Sequence, residues 1–237
     1  MRVAELWRYP VKSMQGERVA ATDVGRDGVA GDRQWAIFDS TTGFGLTARR
    51  LPALLLASAR LRGDEEEVEI TLPDGTIAAD DAALSAWLGR PVALHRTDEV
   101  RTTRRYEIPD DIETESAQSW RPFEGTEHAF HDTFTITLLS ATTINSYPMR
   151  RFRPNVVLDG AGEDGLVGST VRIGNAVVRV TDQVRRCVMV TRPQPGGIDL
   201  DRDVLRWIHR ERGGLLAVGG PVVATGLVSV GDEITRV

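Results

Sequence analysis

The sequence predicts a mainly β protein with a few short helices, an α+β chain whose sheets suit barrel-like packing. Its apolar runs are short and bounded by turn residues, which is the pattern of strands. One of them, Val68-Glu69-Ile70-Thr71-Leu72, alternates strictly and ends in the turn Pro73-Asp74-Gly75. Paired start and stop signals for a helix are confined to two places.

In chain order, strands are expected at Val3 to Trp7, Gln34 to Phe38, Leu54 to Leu61 and Val68 to Leu72. Asp80 to Leu88 reads as a short helix with an acidic start and Gly89 as its stop. From Arg96 to Thr126 the pattern dissolves into charged, proline-containing sequence, so a long connection is expected there. Strands then resume at Phe134 to Leu139, Asn155 to Leu158, Val171 to Ile173, Ala176 to Thr181 and Cys187 to Thr191. Gly174-Asn175 suits a tight hairpin because both residues tolerate positive φ. A second helix is expected over Asp201 to Arg212, with Val204, Leu205 and Ile208 on one face and Gly213 ending it. Val222 to Val237 closes the chain in extended form.

At 237 residues, 41% hydrophobic and 27% charged, the composition is that of a globular protein. No run of about 18 apolar residues exists to span a bilayer, and Met1 to Pro10 carries Arg2, Glu5 and Arg8 instead of a signal-peptide core. A cytoplasmic location without membrane partners is the expectation. The net charge of −5 argues against non-specific nucleic-acid binding. Charge is nevertheless uneven. Met149 to Arg192 holds eight arginines against four acids, so it carries +4 and the rest of the chain −9. Such a segment in an acidic protein points to a confined anion site. Of the 29 basic residues 28 are arginine, and the one lysine, Lys12, sits in the proline-led turn Tyr9-Pro10-Val11-Lys12-Ser13.

Gly160-Ala161-Gly162-Glu163-Asp164-Gly165 spells GxGxxG after a strand. A dinucleotide site needs a helix N-terminus directly after the glycines, whereas strand-like sequence follows here, and two acids would repel pyrophosphate. The motif is rejected. His128 and His131, flanked by carboxylates, have a spacing that can bind a divalent metal, but a polar surface loop fits the segment better. Arg150, Arg151 and Arg153 lead into one expected strand, and Arg185 and Arg186 into another. Arginine's planar fork suits phosphate. Ser140 to Asn145 adds hydroxyl and amide donors at a turn, where they serve equally as an anion site or as helix caps.

Cys187, the single cysteine, follows those two arginines. It cannot form an intramolecular disulfide. Adjacent positive charge favours the thiolate, the form that attacks electrophiles and binds soft metals. Packing as a small hydrophobe is the competing reading.

Together these stretches resemble a known family. Tyr9 to Ser13, Gly31-Asp32-Arg33-Gln34-Trp35 and Leu46-Thr47-Ala48-Arg49 resemble the β-barrel domain that precedes a MOSC domain. Leu138 to Asn145, Arg151 to Asn155, Gly162-Glu163-Asp164, Val171 to Gly174 and Arg186 to Met189 resemble the MOSC core itself. The order resembles that of the family along nearly the whole chain, and the resemblance extends to the mitochondrial amidoxime-reducing component and its bacterial counterparts. The resemblance implies an N-terminal barrel domain over 1–95, a charged connection over 96–126 and a MOSC core over 127–237.

It also implies a molybdenum cofactor, molybdopterin with molybdenum, whose metal is held by Cys187. Lys12, Ser13, Arg33, Ser140, Thr143, Arg153, Asn155 and Arg186 would surround the pterin and its phosphate. The family reaction is a two-electron reduction of N-hydroxylated compounds such as amidoximes and hydroxylamines. Two positions depart from the pattern: Arg185, where relatives carry something smaller, and Leu166, where tryptophan is expected. With one cysteine the chain cannot ligate an iron–sulfur cluster through cysteines, and it has no nicotinamide or flavin motif. Electrons would come from separate electron-transfer proteins. Two other functions fit the same residues, a non-catalytic cofactor carrier and a sulfur-transfer protein working through a Cys187 persulfide.

Overall fold

The computed structural model describes residues 1–63, 67–99, 105–109, 120–124, 129–131 and 133–237. Among them the chain is mainly β with two α-helices, as the sequence predicts. The ladders form open sheets and do not close into one ring of hydrogen bonds. The largest has six strands in the spatial order Asp182–Arg185, Leu215–Gly220, Ile136–Ser140, Val156–Leu158, Val3–Arg8 and Glu17–Val19. Its pairings are antiparallel except for Ile136–Ser140 beside Val156–Leu158. Val156, Val157 and Leu158 are all buried, as expected of a central strand covered on both faces.

A four-stranded sheet joins Val222–Ala224, Ala176–Arg179, Thr170–Ile173 and Ile234–Arg236. Its central hairpin turns at Gly174-Asn175, with Ile173 opposite Ala176. Gly226–Ser229 pairs with Ala21–Gly25, which pairs with Gly28–Val29. Trp35–Asp39 pairs with Val92–Arg96, and Ser58–Arg62 with Glu67–Thr71.

Both helices end as the sequence predicts. Over Asp81–Leu88 the Asp80 carboxylate accepts from the Ala83 N–H at 2.9 Å, and Gly89 takes φ 65° at the C-cap. Over Asp203–Arg212, Val204 and Ile208 are buried and Gly213 closes the helix at φ 62°.

The first N-terminal strands pack into a core shared with the C-terminal half. Val3, Leu6, Val24 and Val29 share one apolar cluster with Ile136, Leu138, Val156, Leu158, Val171 and Val218. A second core gathers Val11, Met14, Trp35, Ile37, Leu54 and Leu84, with Met189 packed against it. A third gathers Leu139, Phe152, Val190, Val204, Ile208 and Leu216.

Three expectations of local structure fail. Leu54 to Leu61 is not one strand: Pro52–Leu56 is a 3-10 helix, and the strand starts at Ser58. Proline at the start pre-sets helical φ, and Leu54 and Leu55 are both buried. Cys187 to Thr191 is not a strand either, because Val188–Thr191 forms a 3-10 turn with Cys187 extended just ahead of it. Within 96–126 lies an antiparallel ladder, Arg105–Pro109 against Trp120–Glu124. Tyr106 anchors it by packing in a buried cluster with Ala36, Phe38 and Phe130. His128 lies outside the described residues.

Candidate functional site

Where the second and third cores meet, the chain leaves a cavity of about 350 Å³. Its charged lining is arginine throughout: Arg33, Arg49, Arg151, Arg153, Arg185 and Arg186, with no aspartate or glutamate among the described lining residues. Ser13, Tyr106, His131, Phe152 and Cys187 complete much of the wall. The exposed lining residues Thr133 and Arg185 mark where it meets solvent.

Ser13 and Arg33 reach the cavity from turns that clamp each other. The Lys12 N–H donates to the Trp35 carbonyl, the Trp35 N–H to the Pro10 carbonyl and the Arg33 N–H to the Tyr9 carbonyl, at 2.8–3.0 Å. Asp32, 1% exposed, organises this corner. Its carboxylate accepts from the Tyr9 N–H at 2.7 Å and pairs with the Arg33 guanidinium, while His131 Nδ1 lies 3.8 Å away. Arg33 is therefore oriented from behind by a buried acid that does not itself line the cavity.

Arg153 enters from the turn between the 3-10 helix Met149–Arg151 and the strand Val156–Leu158. Its guanidinium donates to the Met14 carbonyl and lies 4.2 Å from the Tyr9 ring centroid, so it bridges the two halves of the chain. Arg151 serves the wall instead of the cavity's charge. It is 5% exposed and donates to the carbonyls of Val190 at 3.1 Å, Arg192 at 3.2 Å and Asp199 at 2.7 Å. That clasp holds the 3-10 turn beside Cys187.

Arg186 and Cys187 follow a distorted strand end. Gln183 pairs with Val218 but Arg185 with Leu215, so the Leu215–Gly220 strand carries an extra residue there. Ala217, buried at φ 74°, accommodates it. The Arg186 Nε donates to Leu216 O at 2.8 Å and Nη1 to Phe152 O at 2.9 Å, whereas the buried Nη2 has no partner. Burial lowers this guanidinium to about 10, which leaves it charged at neutral pH. A buried guanidinium N–H without an acceptor costs at least about 1–3 kcal/mol. An anion in the cavity would remove that cost.

Backbone strain gathers at the same place. Ser13 at φ 71°, Arg33 at φ 51° and Arg153 at φ 53° are three of the five non-glycine residues with positive φ among the described residues. Each costs about 1–3 kcal/mol, and such residues cluster where side-chain placement serves a function.

Of the residues expected from the sequence, Ser13, Arg33, Arg153, Arg186 and Cys187 come together on this cavity. Four expected cofactor contacts do not line it, each for a visible reason. The Lys12 ammonium, 5% exposed, donates to the Phe130 carbonyl at 2.8 Å and lies 4.9 Å from the Tyr106 ring centroid. Ser140 is fully buried, with no partner for its hydroxyl. The Thr143 hydroxyl donates to Glu163 Oε2 at 2.8 Å. Asn155 accepts from the Thr137 N–H at 3.2 Å and donates to Trp7 O at 3.4 Å, tying neighbouring strands.

Sequence reasoning did not place Tyr9, Arg49 or His131 at the site, and Arg151, singled out there within an arginine-rich stretch suited to phosphate, is committed to wall carbonyls instead. His131 stood in the singled-out histidine pair, but its partner in the structure is a backbone carbonyl: Nε2 lies 3.1 Å from Asp27 O. Among the described residues no three His, Cys, Asp or Glu side chains converge on a metal position. The GxGxxG stretch leads into a 3-10 turn and a strand, in keeping with its rejection.

Comparison with known proteins places the chain. Residues 1–105 match the MOSC N-terminal beta barrel domain and residues 127–235 the MOSC domain. No curated protein matches the chain. Among solved structures, the YuaD protein from Bacillus subtilis is 13% identical at a TM-score of 0.42, with 98% of this chain and 93% of that one covered. YiiM from Geobacillus stearothermophilus is 15% identical at a TM-score of 0.35, with 58% and 74% covered. The chain belongs to the MOSC family, with a MOSC N-terminal β-barrel domain followed by a MOSC domain.

Proposed function

We propose that the protein binds molybdopterin-held molybdenum through Cys187 and reduces N-hydroxylated compounds with electrons from separate electron-transfer proteins. MOSC domains are associated with binding of the molybdenum cofactor. The observation that carries the reading is one cavity that joins the single cysteine to an all-arginine charged wall. The residues fit the group: a soft thiolate donor for the metal, guanidinium forks for a phosphate, and a buried Arg186 N–H that lacks an acceptor.

Arg33, Arg153 and Arg186 would hold the phosphate, and Ser13 would contribute at the same wall. When bound, the cofactor supplies a two-electron reduction with removal of an oxygen atom. For an amidoxime the N–O bond breaks, two electrons and two protons are taken up, and amidine and water leave. This chain's residues position the reactants and keep the wall positive. His131, which burial lowers to about 4, adds no charge at neutral pH. No helix among the described residues is long and apolar enough to cross a membrane.

The test uses protein purified from a host that makes the cofactor. Wild type is expected to carry molybdenum and pterin, Cys187→Ala to lose the metal, and the loaded protein to reduce benzamidoxime with reduced viologen as donor. Full loading without turnover favours the carrier role. Absence of molybdenum and pterin from wild type overturns the reading.

A further inference from the structure

A second cavity, of about 530 Å³, shares no described lining residue with the one at Cys187. Trp7, Leu56, Leu72 and Pro73 give it apolar walls from the N-terminal half, and Arg150, Gln194 and Pro195 line it from the C-terminal half. A few polar groups set among apolar walls, at this size, are the marks of a small-molecule site. Gln194 is 4% exposed, and neither Oε1 nor Nε2 of its carboxamide has a hydrogen-bond partner. A buried amide left unpaired carries a desolvation cost that an apolar side chain of the same size avoids. Gln15, which also lines the cavity, is the contrast: its Nε2 donates to Leu55 O at 3.0 Å, so that amide is tied to the fold.

The backbone fixes Gln194, whose N–H donates to Ile198 O at 2.8 Å. Arg150 is fastened to the same turn. Its Nη2 donates to Pro195 O at 2.5 Å, and its Nη1 lies 3.2 Å from the position a Cβ would take on Gly196. One turn of the chain thus brings a cation and an unpaired carboxamide to the cavity, and no described lining residue is acidic.

We infer that this cavity is a second ligand site, for an adenine nucleotide, with the base edge on the Gln194 carboxamide and the phosphate on Arg150. A carboxamide presents one donor beside one acceptor, the complement of adenine N7 and its N6 amino group. Guanine presents two acceptors on the same edge, N7 and O6, and leaves the carboxamide oxygen unmatched. The guanidinium supplies N–H groups and charge for the phosphate, while apolar walls suit the ring faces. None of this draws on the chemistry proposed for Cys187.

AMP, adenosine, GMP and inorganic phosphate are titrated by calorimetry into the protein as purified and into Q194M, R150Q and R153Q. Wild type is expected to bind AMP at least about tenfold more tightly than the other three probes. Q194M, of similar length and without the amide, should weaken AMP about tenfold and level it with GMP, and R150Q should bring AMP to the level of adenosine. Without ligand, the unfolding midpoint of Q194M should equal or exceed that of wild type, because the amide has no partner to lose. Molybdenum and pterin content should match wild type in Q194M and R150Q. Absence of AMP binding at millimolar concentration overturns the inference, as does equal affinity for GMP or binding that survives unchanged in both Q194M and R150Q. Binding lost in R153Q but kept in those two belongs to the Cys187 cavity and also overturns it.

Discussion

Arg33 and Arg153 lie over the same Tyr9 ring, at 5.0 and 4.2 Å from its centroid, and the Arg33 guanidinium reaches the Arg153 carbonyl oxygen at 3.5 Å. The two cations come from opposite halves of the chain and are held together by an aromatic face. Burial pushes the Tyr9 phenol well above its ordinary value, so the ring stays neutral between them. Its hydroxyl donates to Pro154 O at 3.2 Å. The arrangement aims two forks at one small volume.

Replacing Tyr9 separates the platform from its hydrogen bond. Tyr9→Phe keeps the ring and should cost about 1 kcal/mol in denaturant unfolding. Tyr9→Leu removes both cation–π contacts and should cost about 2–4 kcal/mol. It should also lower the pterin retained per chain, measured after gel filtration.

Arg151 predicts a local loosening that a thiol reagent can read. Arg151→Ala strips the clasp from three carbonyls and should destabilise by about 3 kcal/mol. Cys187, the only thiol, should react faster with a maleimide or disulfide reagent in this variant. Arg151→Lys is expected to rescue little, because one ammonium cannot span carbonyls on three residues.

His131 makes stability pH-dependent. Its folded value of about 4 lies below the ordinary 6.5 because burial disfavours the imidazolium, against the partial pull of Asp32. Unfolding therefore takes up a proton between those values, and stability falls as pH drops from 6.5 towards 4, by roughly 3 kcal/mol for this group alone. Above pH 6.5 the contribution is flat. Denaturant midpoints at pH 7 and pH 5 should converge for His131→Phe while they diverge for wild type.

Two glycines should behave oppositely. At Gly220 a Cβ would lie 1.9 Å from Arg179 O, so Gly220→Ala should cost at least about 3 kcal/mol or abolish folding. At Gly165, the last glycine of the GxGxxG stretch, the nearest atom to a Cβ is Arg236 Nη2 at 4.0 Å. Gly165→Ala should shift stability by under about 1 kcal/mol and leave cofactor content unchanged. Circular-dichroism melts and metal analysis of the two variants check both statements.

The legible part of the fold was the part governed by local rules. Gly174-Asn175 specified its hairpin by tolerance of positive φ, and Asp80, Gly89 and Gly213 marked helix ends by capping chemistry. Val188-Met189-Val190-Thr191 reads as a strand by β-branching. Distant carbonyl contacts from Arg151, and the Thr191 hydroxyl donating to Val188 O at 2.8 Å, favour a 3-10 turn instead. Tyr106 supplies one aromatic anchor in a charged stretch, too little signal for a strand.

The site divides in the same way. Arg153 and Arg186 stood out by type and clustering, and Arg33 through the family resemblance alone. Arg49 lies in a segment whose charge alone is unremarked, and Tyr9 looks like an ordinary aromatic beside a proline. Left-handed backbone at Ser13, Arg33 and Arg153 leaves no mark in composition, because serine and arginine are not residues chosen for that conformation.

Val3–Arg8 pairs with Val156–Leu158 on one side and Glu17–Val19 on the other, and Val3 and Leu6 fill a core otherwise built largely from the C-terminal half. Two units can be distinguished by sequence family, yet they are stitched into one body by the first strand. Recombination at the junction between them would leave a central strand edge bare in one product and a homeless apolar strand in the other. Exchanging either unit alone would expose that edge.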